Sequence, residues 1–233
     1  MNKGHEAMAY LTFLVDNYDT LPSTIAFLHS HRDGFLRAWH TDAPLHDNVY
    51  AMQHLQLDFV HHSGYVNLRC KWNPGCLRSH SGIIHVTLKI WQAVFANTST
   101  PPPSLDPQTA EQIVPFPMPS KIGVACCAQF VVSREQVYKR PREDYVIFRD
   151  WVADTELNDA HSGRVMEYLW HIIFAADAVQ MLHKIDRLRP VTLTQSSAMS
   201  LDDFVYYRLK LVDGIAVKRI LQQRSLLIML RRI

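Results

Sequence analysis

The chain is short of the patterns that name a function. Only eight of its 233 residues are glycine, and none falls in a GxGxxG or GxxxxGK[ST] arrangement, so dinucleotide-binding and P-loop phosphate cradles are not indicated. GxSxG, HExxH and Asp-x-Asp are absent too, which argues against a serine esterase, a zinc protease and a metal-dependent glycosyltransferase. No apolar run approaches the about 18 residues of a membrane span, and MNKGHEAMAY has no basic region followed by an apolar block, so a secretory signal is not expected. Cysteine is scarce. With no export signal, Cys70, Cys76, Cys126 and Cys127 read as reduced thiols of a cytoplasmic protein, and Cys70 and Cys76 lack the second Cys pair of a zinc site. No metal site is expected.

What is present is apolar residue in quantity: 48% hydrophobic content over this length supports one well-buried core, or a core with an appendage. The net charge of +2 hides an asymmetry, with ten Lys/Arg against five Asp from Ala175 onward and 14 basic against 17 acidic residues before it. A basic tail suits nucleic acid or a solvated helical face equally.

The stretch 158–174, NDAHSGRVMEYLWHIIF, reads as a helix apolar on most sides, with Asn158 or Asp159 at its start. Arg164, Glu167 and His171 fall at i, i+3 and i+7 and so share one face. Three ionisable groups where water is scarce imply a structural ion pair or the floor of a site.

Along the chain, residues 2–18 predict an amphipathic helix beginning near residue 3, and STIAFLH at 23–29 a buried strand, so an α/β domain follows. No strand precedes that helix, and the sheet is expected to lack its first strand. His29-Ser30-His31-Arg32 lies at the carboxyl end of the strand, where α/β sheets collect ligands. Residues 47–55 read as a helix, 65–70 as a strand, and 86–96 as a helix. Residues 121–133, KIGVACCAQFVVS, are the clearest strand signal, with Gln129 its one large polar side chain. A short helix at Arg134-Glu135 and a longer one over 141–152 follow. The tail, 175–233, reads as a basic helical appendage outside the 1–174 domain, and 77–120 as an insert. The fold class is α/β: a mixed or parallel sheet flanked by helices, glycosyltransferase-like or Rossmann-like.

NKGHEAMAYL, LPSTIAFLHSHR, GYVNLRC, GVACCAQFVVSRE, RPREDYVIFRDW and SGRVMEYLWHIIF resemble, in order, the blocks of a fungal domain family of long-unknown function. Some of its members are the arginine-containing cyclodipeptide synthases of fungal secondary metabolism. The resemblance implies a cytoplasmic transferase that makes a cyclic dipeptide from arginyl-tRNA and one other aminoacyl-tRNA. It implies no ATP, metal or other cofactor, because the aminoacyl ester supplies the driving force. Under this reading Glu167 or Glu6 holds the arginyl guanidinium in bidentate geometry. His29, His31 or His171 takes the proton of the attacking amine, and Gln129 orients an ester carbonyl. Lys3, Arg32 and Arg164 complete the substrate contacts. A glycosyltransferase-like enzyme and an inactive truncated member are the alternatives.

Overall fold

The computed structural model describes residues 3–30, 41–69, 85–99, 118–180, 205–208, 210–212, 215–217 and 226–231. In chain order the elements are α1 (Glu6–Asn17), β1 (Thr24–His29), α2 (Asn48–Gln53), α3 (Leu57–Ser63), β2 (Tyr65–Asn67), α4 (Leu88–Phe95), β3 (Phe130–Ser133), α5 (Arg134–Val137), α6 (Arg142–Asp154), α7 (Asp159–Ile173), β4 (Val205–Arg208), β5 (Lys210–Val212), β6 (Ile215–Val217) and β7 (Leu226–Arg231). They fall into two compact units. One comprises Met1–Leu21, Trp72–Cys126 and Glu135–Met181, the other Pro22–Lys71, Cys127–Arg134 and Leu182–Ile233.

The first unit is helical. α1 presents Ala7, Tyr10, Leu11 and Leu14 as its buried stripe, the period expected of a helix with one face against a core. α7 is exposed in its first turn and buried from Ser162 onward on all sides but that of Arg164 and Glu167, and Asn158 caps it by accepting from the His161 N–H at 2.9 Å. Aromatic rings fill the space between helices: Tyr10 meets Trp170 at 5.7 Å, Phe95 meets Phe148 edge-on at 5.5 Å, and Tyr145 meets Phe174 at 6.1 Å. The turn before α1 is tight. Gly4 and His5 have φ of 72° and 51°, so α1 begins at Glu6 and not near residue 3. The helical residues of α4, α6 and α7 agree with the sequence to within about two positions, the uncertainty of helix ends.

In the second unit β2, β3 and β1 form a small antiparallel sheet, with Ile25 opposite Val132 and Tyr65 opposite the same residue from the other side. Ala26, Leu28, Val66 and Val131 on one face pack with Met52 of α2 and Val60 of α3, the alternation that a half-covered sheet requires. The backbone of β7 pairs parallel with β1 and that of β4 parallel with β7.

The fold is mixed α/β, but three expectations are corrected. A Rossmann-like parallel sheet is not what forms, because the pairings β1–β3 and β2–β3 run antiparallel. The clearest sequence strand, 121–133, is paired as a strand only from Phe130. Upstream, Cys127 and Ala128 adopt φ of 89° and 46°, and left-handed residues cannot continue a ladder. The tail is not helical in its described residues: 175–180 are irregular and the others lie in strands β4 to β7; Leu226–Arg231 is an apolar run too short to distinguish helix from buried strand by period. Among the described residues no helix is long and apolar enough to cross a membrane.

Candidate functional site

In the sheet unit, the carboxyl ends of β1 and β2 and the amino end of β3 share one edge, because β3 runs against both neighbours. Gln129 stands there, one residue before β3, with 1% of its surface exposed. Its Oε1 accepts from the His29 backbone N–H at 2.8 Å and from Asn48 Nδ2 at 3.4 Å. A backbone N–H can only donate, so the amide orientation is fixed and Nε2 faces the other way. Nε2 is buried and has no hydrogen-bond partner among the described residues. Leaving such a donor unmade costs about 1–3 kcal/mol, and an uncompensated group of this kind calls for an explanation.

Two supports hold the surroundings. Leu68 N–H donates to Gln129 O at 3.0 Å and Asp42 N–H to Leu68 O at 3.5 Å, while Asp47 caps α2 by accepting from Val49 and Tyr50 N–H groups and so fixes Asn48 at the helix start. Thr41 is fully buried and its Oγ1 is a second polar atom without a partner among the described residues. Arg69 is 5% exposed, and its Nη1 lies 4.0 Å from Cys127 Sγ. The edge therefore offers an oriented amide donor, a buried hydroxyl and a guanidinium, a set suited to a carbonyl or carboxylate oxygen.

Other expected site residues have different surroundings. In the helical unit, Lys3 caps the carboxyl end of α6, donating to Ala153 O at 3.2 Å and to Thr155 O. Glu6 sits in the first turn of α1, half-buried, where an acid complements the helix N-terminus. The strip on α7 is not uniformly buried: Arg164 is 48% exposed and Glu167 10%, and they pair at 2.5 Å. The two-turn separation carries Arg164 to the solvent end of the strip while His171 reaches the core. His171 is fully buried, its Nε2 faces Ala178 O at 3.0 Å, and desolvation pushes its pKa down to about 4. It is a neutral ring held by backbone. The Glu167 carboxylate and Cys126 Sγ lie within 4.8 Å of each other. His31 and Arg32 lie outside the described residues.

Two features escaped the sequence reading. Arg140 and Asp144 form a fully buried pair at 3.2 Å, with Arg140 Nε and Nη2 also donating to Ile173 O and Ile172 O at 2.6 and 3.2 Å. RPRED, with a cation four residues before an acid, carried the signal. Cys126 and Cys127 are disulfide-bonded, which corrects the expectation of reduced thiols; the bend at 126–128 replaces the extended strand that would have alternated them.

Residues 1–185 match a family model described as Protein of unknown function (DUF3431). No curated protein and no solved structure matches the chain.

Proposed function

The chain belongs to this family of unknown function, and we propose that it is an aminoacyl-transfer enzyme, joining arginine from arginyl-tRNA to a second residue from another aminoacyl-tRNA as a cyclic dipeptide. One observation carries the reading: the buried amide of Gln129, oriented by the His29 N–H and Asn48, with Nε2 without a partner among the described residues. A donor fixed before substrate arrives suits the oxygen of an ester carbonyl, on which negative charge grows as an amine attacks. His29 ends β1 at the same sheet edge, and in this reading its imidazole takes the amine's proton. The ester bond of the substrate supplies the free energy, so the reaction asks for positioning and charge stabilisation and no nucleotide cradle.

The test is reconstitution. Purified full-length chain mixed with arginyl-tRNA and a second charged tRNA, without ATP, should yield an arginine-containing cyclic dipeptide detectable by mass spectrometry. A folded preparation that gives none with every charged tRNA tried would refute the proposal. A sugar-nucleotide transferase has less behind it, since β1, β3 and β2 pair antiparallel; thermal stabilisation by a UDP or GDP sugar would reopen it.

A further inference from the structure

We propose that the carboxyl edge of the sheet is an RNA-binding edge, on which Arg231, Arg208 and Lys210 hold backbone phosphates of a single strand. That the strand is the acceptor end of a charged tRNA, with its ester at Gln129, rests on the aminoacyl-transfer reading; the phosphate contacts do not.

The placement follows from strand direction. β7 pairs parallel with β1 and β4 parallel with β7, so their carboxyl ends lie at one edge of the sheet, the edge at which Gln129 precedes β3. Register brings Arg231 level with His29, and Arg208 level with Leu230 and Leu28, one step behind. Lys210 opens β5 two residues after Arg208, no more than about 7 Å of chain away. From β1 across β7 to β4 is two strand spacings, about 10 Å. Three cations therefore follow one another along the edge, beginning next to His29. All three lie beyond residues 1–185, the part of the chain that matches the family model.

Charge is sorted as well as placed. Asp202 and Asp203 precede β4 in the sequence, whereas Arg208 ends it and Lys210 follows. In the strand order β2-β3-β1-β7-β4, β2 and β4 are opposite flanks. Asp42, an exposed acid, is joined to the β2 flank through its N–H to Leu68 O. Arg69, two residues past β2, is 5% exposed and is not among the cations that a polyanion meets from solvent. The β7–β4 flank thus draws phosphate and the β2 flank does not, which orients a strand lying across the edge.

A single strand with one charge per nucleotide suits cations in file at strand spacing, and such contacts position a nucleic acid without reading its sequence. Gln129 is the independent pointer to a ligand at the same edge. It is 1% exposed, its Oε1 is held by the His29 N–H, and its Nε2 has no partner among the described residues. With phosphates on Arg231, Arg208 and Lys210, the 3′ end of the strand comes to the His29 and Gln129 side, where an ester carbonyl accepts from that amide.

The full-length chain is titrated against fluorescein-labelled, uncharged tRNA, and anisotropy gives Kd over a range of salt. Arg208→Gln/Lys210→Gln/Arg231→Gln should weaken binding at least about tenfold near physiological salt and flatten the slope of log K against log salt by about 2, three phosphates at about 0.7 each. Arg208→Lys/Arg231→Lys keeps the charge and should bind within about twofold of the parent. Lys89→Gln/Lys121→Gln/Lys139→Gln removes the same charge from exposed positions of the helical unit and should stay within about threefold. With arginyl-tRNA as substrate, the first variant should raise KM at least about tenfold and leave kcat within about threefold, because phosphate contacts are equal in the ground and transition states.

Parental affinity and salt slope in the first variant overturn the edge. An equal loss in the helical-unit variant overturns it as well, by making the attraction one of net charge, and so does an equal loss in the Arg→Lys variant, by making it one of strand stability. Tighter, edge-dependent binding to phosphatidylserine vesicles than to tRNA assigns the cations to a membrane surface and overturns it too. Edge-dependent tRNA binding with no cyclic dipeptide upholds the edge and sinks the transferase reading. Cyclic dipeptide made by the first variant with parental KM does the reverse.

Discussion

The Arg140 guanidinium meets the Asp144 carboxylate at 3.2 Å with 0% and 1% of the two side chains exposed. Neither group is left to the ion pair alone. Arg140 also donates to the last carbonyls of α7 and lies over the Phe95 and Phe148 rings at 5.9 and 5.6 Å, and Asp144 accepts from the N–H and hydroxyl of Ser99, each at 2.8 Å. Desolvation pulls the Arg140 pKa below its ordinary value, which makes its partners indispensable. Asp144→Ala should lower stability by about 3–5 kcal/mol, the usual cost of stranding one buried charge, and Arg140→Met should cost a comparable amount. Urea midpoints read both; a midpoint within error of the parent for Asp144→Ala would contradict this role.

Acid should weaken the fold through His171. Its folded pKa, about 4, lies below the ordinary 6.5 because the ring is desolvated. Between those values the unfolded chain binds a proton that the folded one refuses, so stability is present above pH 6.5 and falls by about 1.4 kcal/mol per pH unit on the way down to 4. The His171→Gln variant should lose that slope. Unfolding free energies at pH 7 and pH 5 for both proteins isolate the contribution; equal slopes would contradict it.

Gly163 sits inside α7, where alanine ordinarily stabilises by about 1 kcal/mol. Here the sign should reverse. A Cβ would stand 2.6 Å from His5 Cδ2 and 3.2 Å from the Gly4 carbonyl carbon, and the backbone contact cannot swing away. Gly163→Ala should destabilise by about 1–3 kcal/mol, with His5→Ala in the same chain recovering part of the loss. A Gly163→Ala protein more stable than its parent by thermal melting would refute the close approach.

Glu167→Gln separates fold from function on α7. The Arg164 side chain is half in water, so the pair should contribute under about 1 kcal/mol and the melting temperature should barely move. Any product formation should nevertheless fall at least tenfold if the carboxylate meets substrate. A folded Glu167→Gln chain with parental activity would show that the carboxylate does not meet substrate.

Residues that repeat a period were legible before the structure. α7, α6 and α1 follow from apolar spacing and from caps such as Asn158, and β1 from a β-branched and aromatic run between turn signals. Illegible were features set by contacts distant in sequence. α3, LDFVHHS, is too short for its period to register. GVACCAQ looks extended because its residues are small and apolar, yet φ at Cys127 and Ala128 is decided by tertiary placement. The sequence singled out Gln129 as an odd polar residue; that its Oε1 is pinned by His29, 100 residues away, could be seen only in the fold. The fold sets Lys3 Nζ and His171 Nε2 against backbone carbonyls, contacts that their residue types alone did not announce.

The most direct measurement is the rate of cyclic dipeptide formation by Gln129→Met, a change that keeps side-chain volume and removes the amide. Loss of the His29 and Asn48 contacts should lower stability by about 1–3 kcal/mol, leaving a folded protein by urea titration. Product formation should fall about 10²–10³-fold, the size of effect seen when one donor to a developing oxyanion is deleted. A folded Gln129→Met chain that makes product at the parent rate would contradict the account.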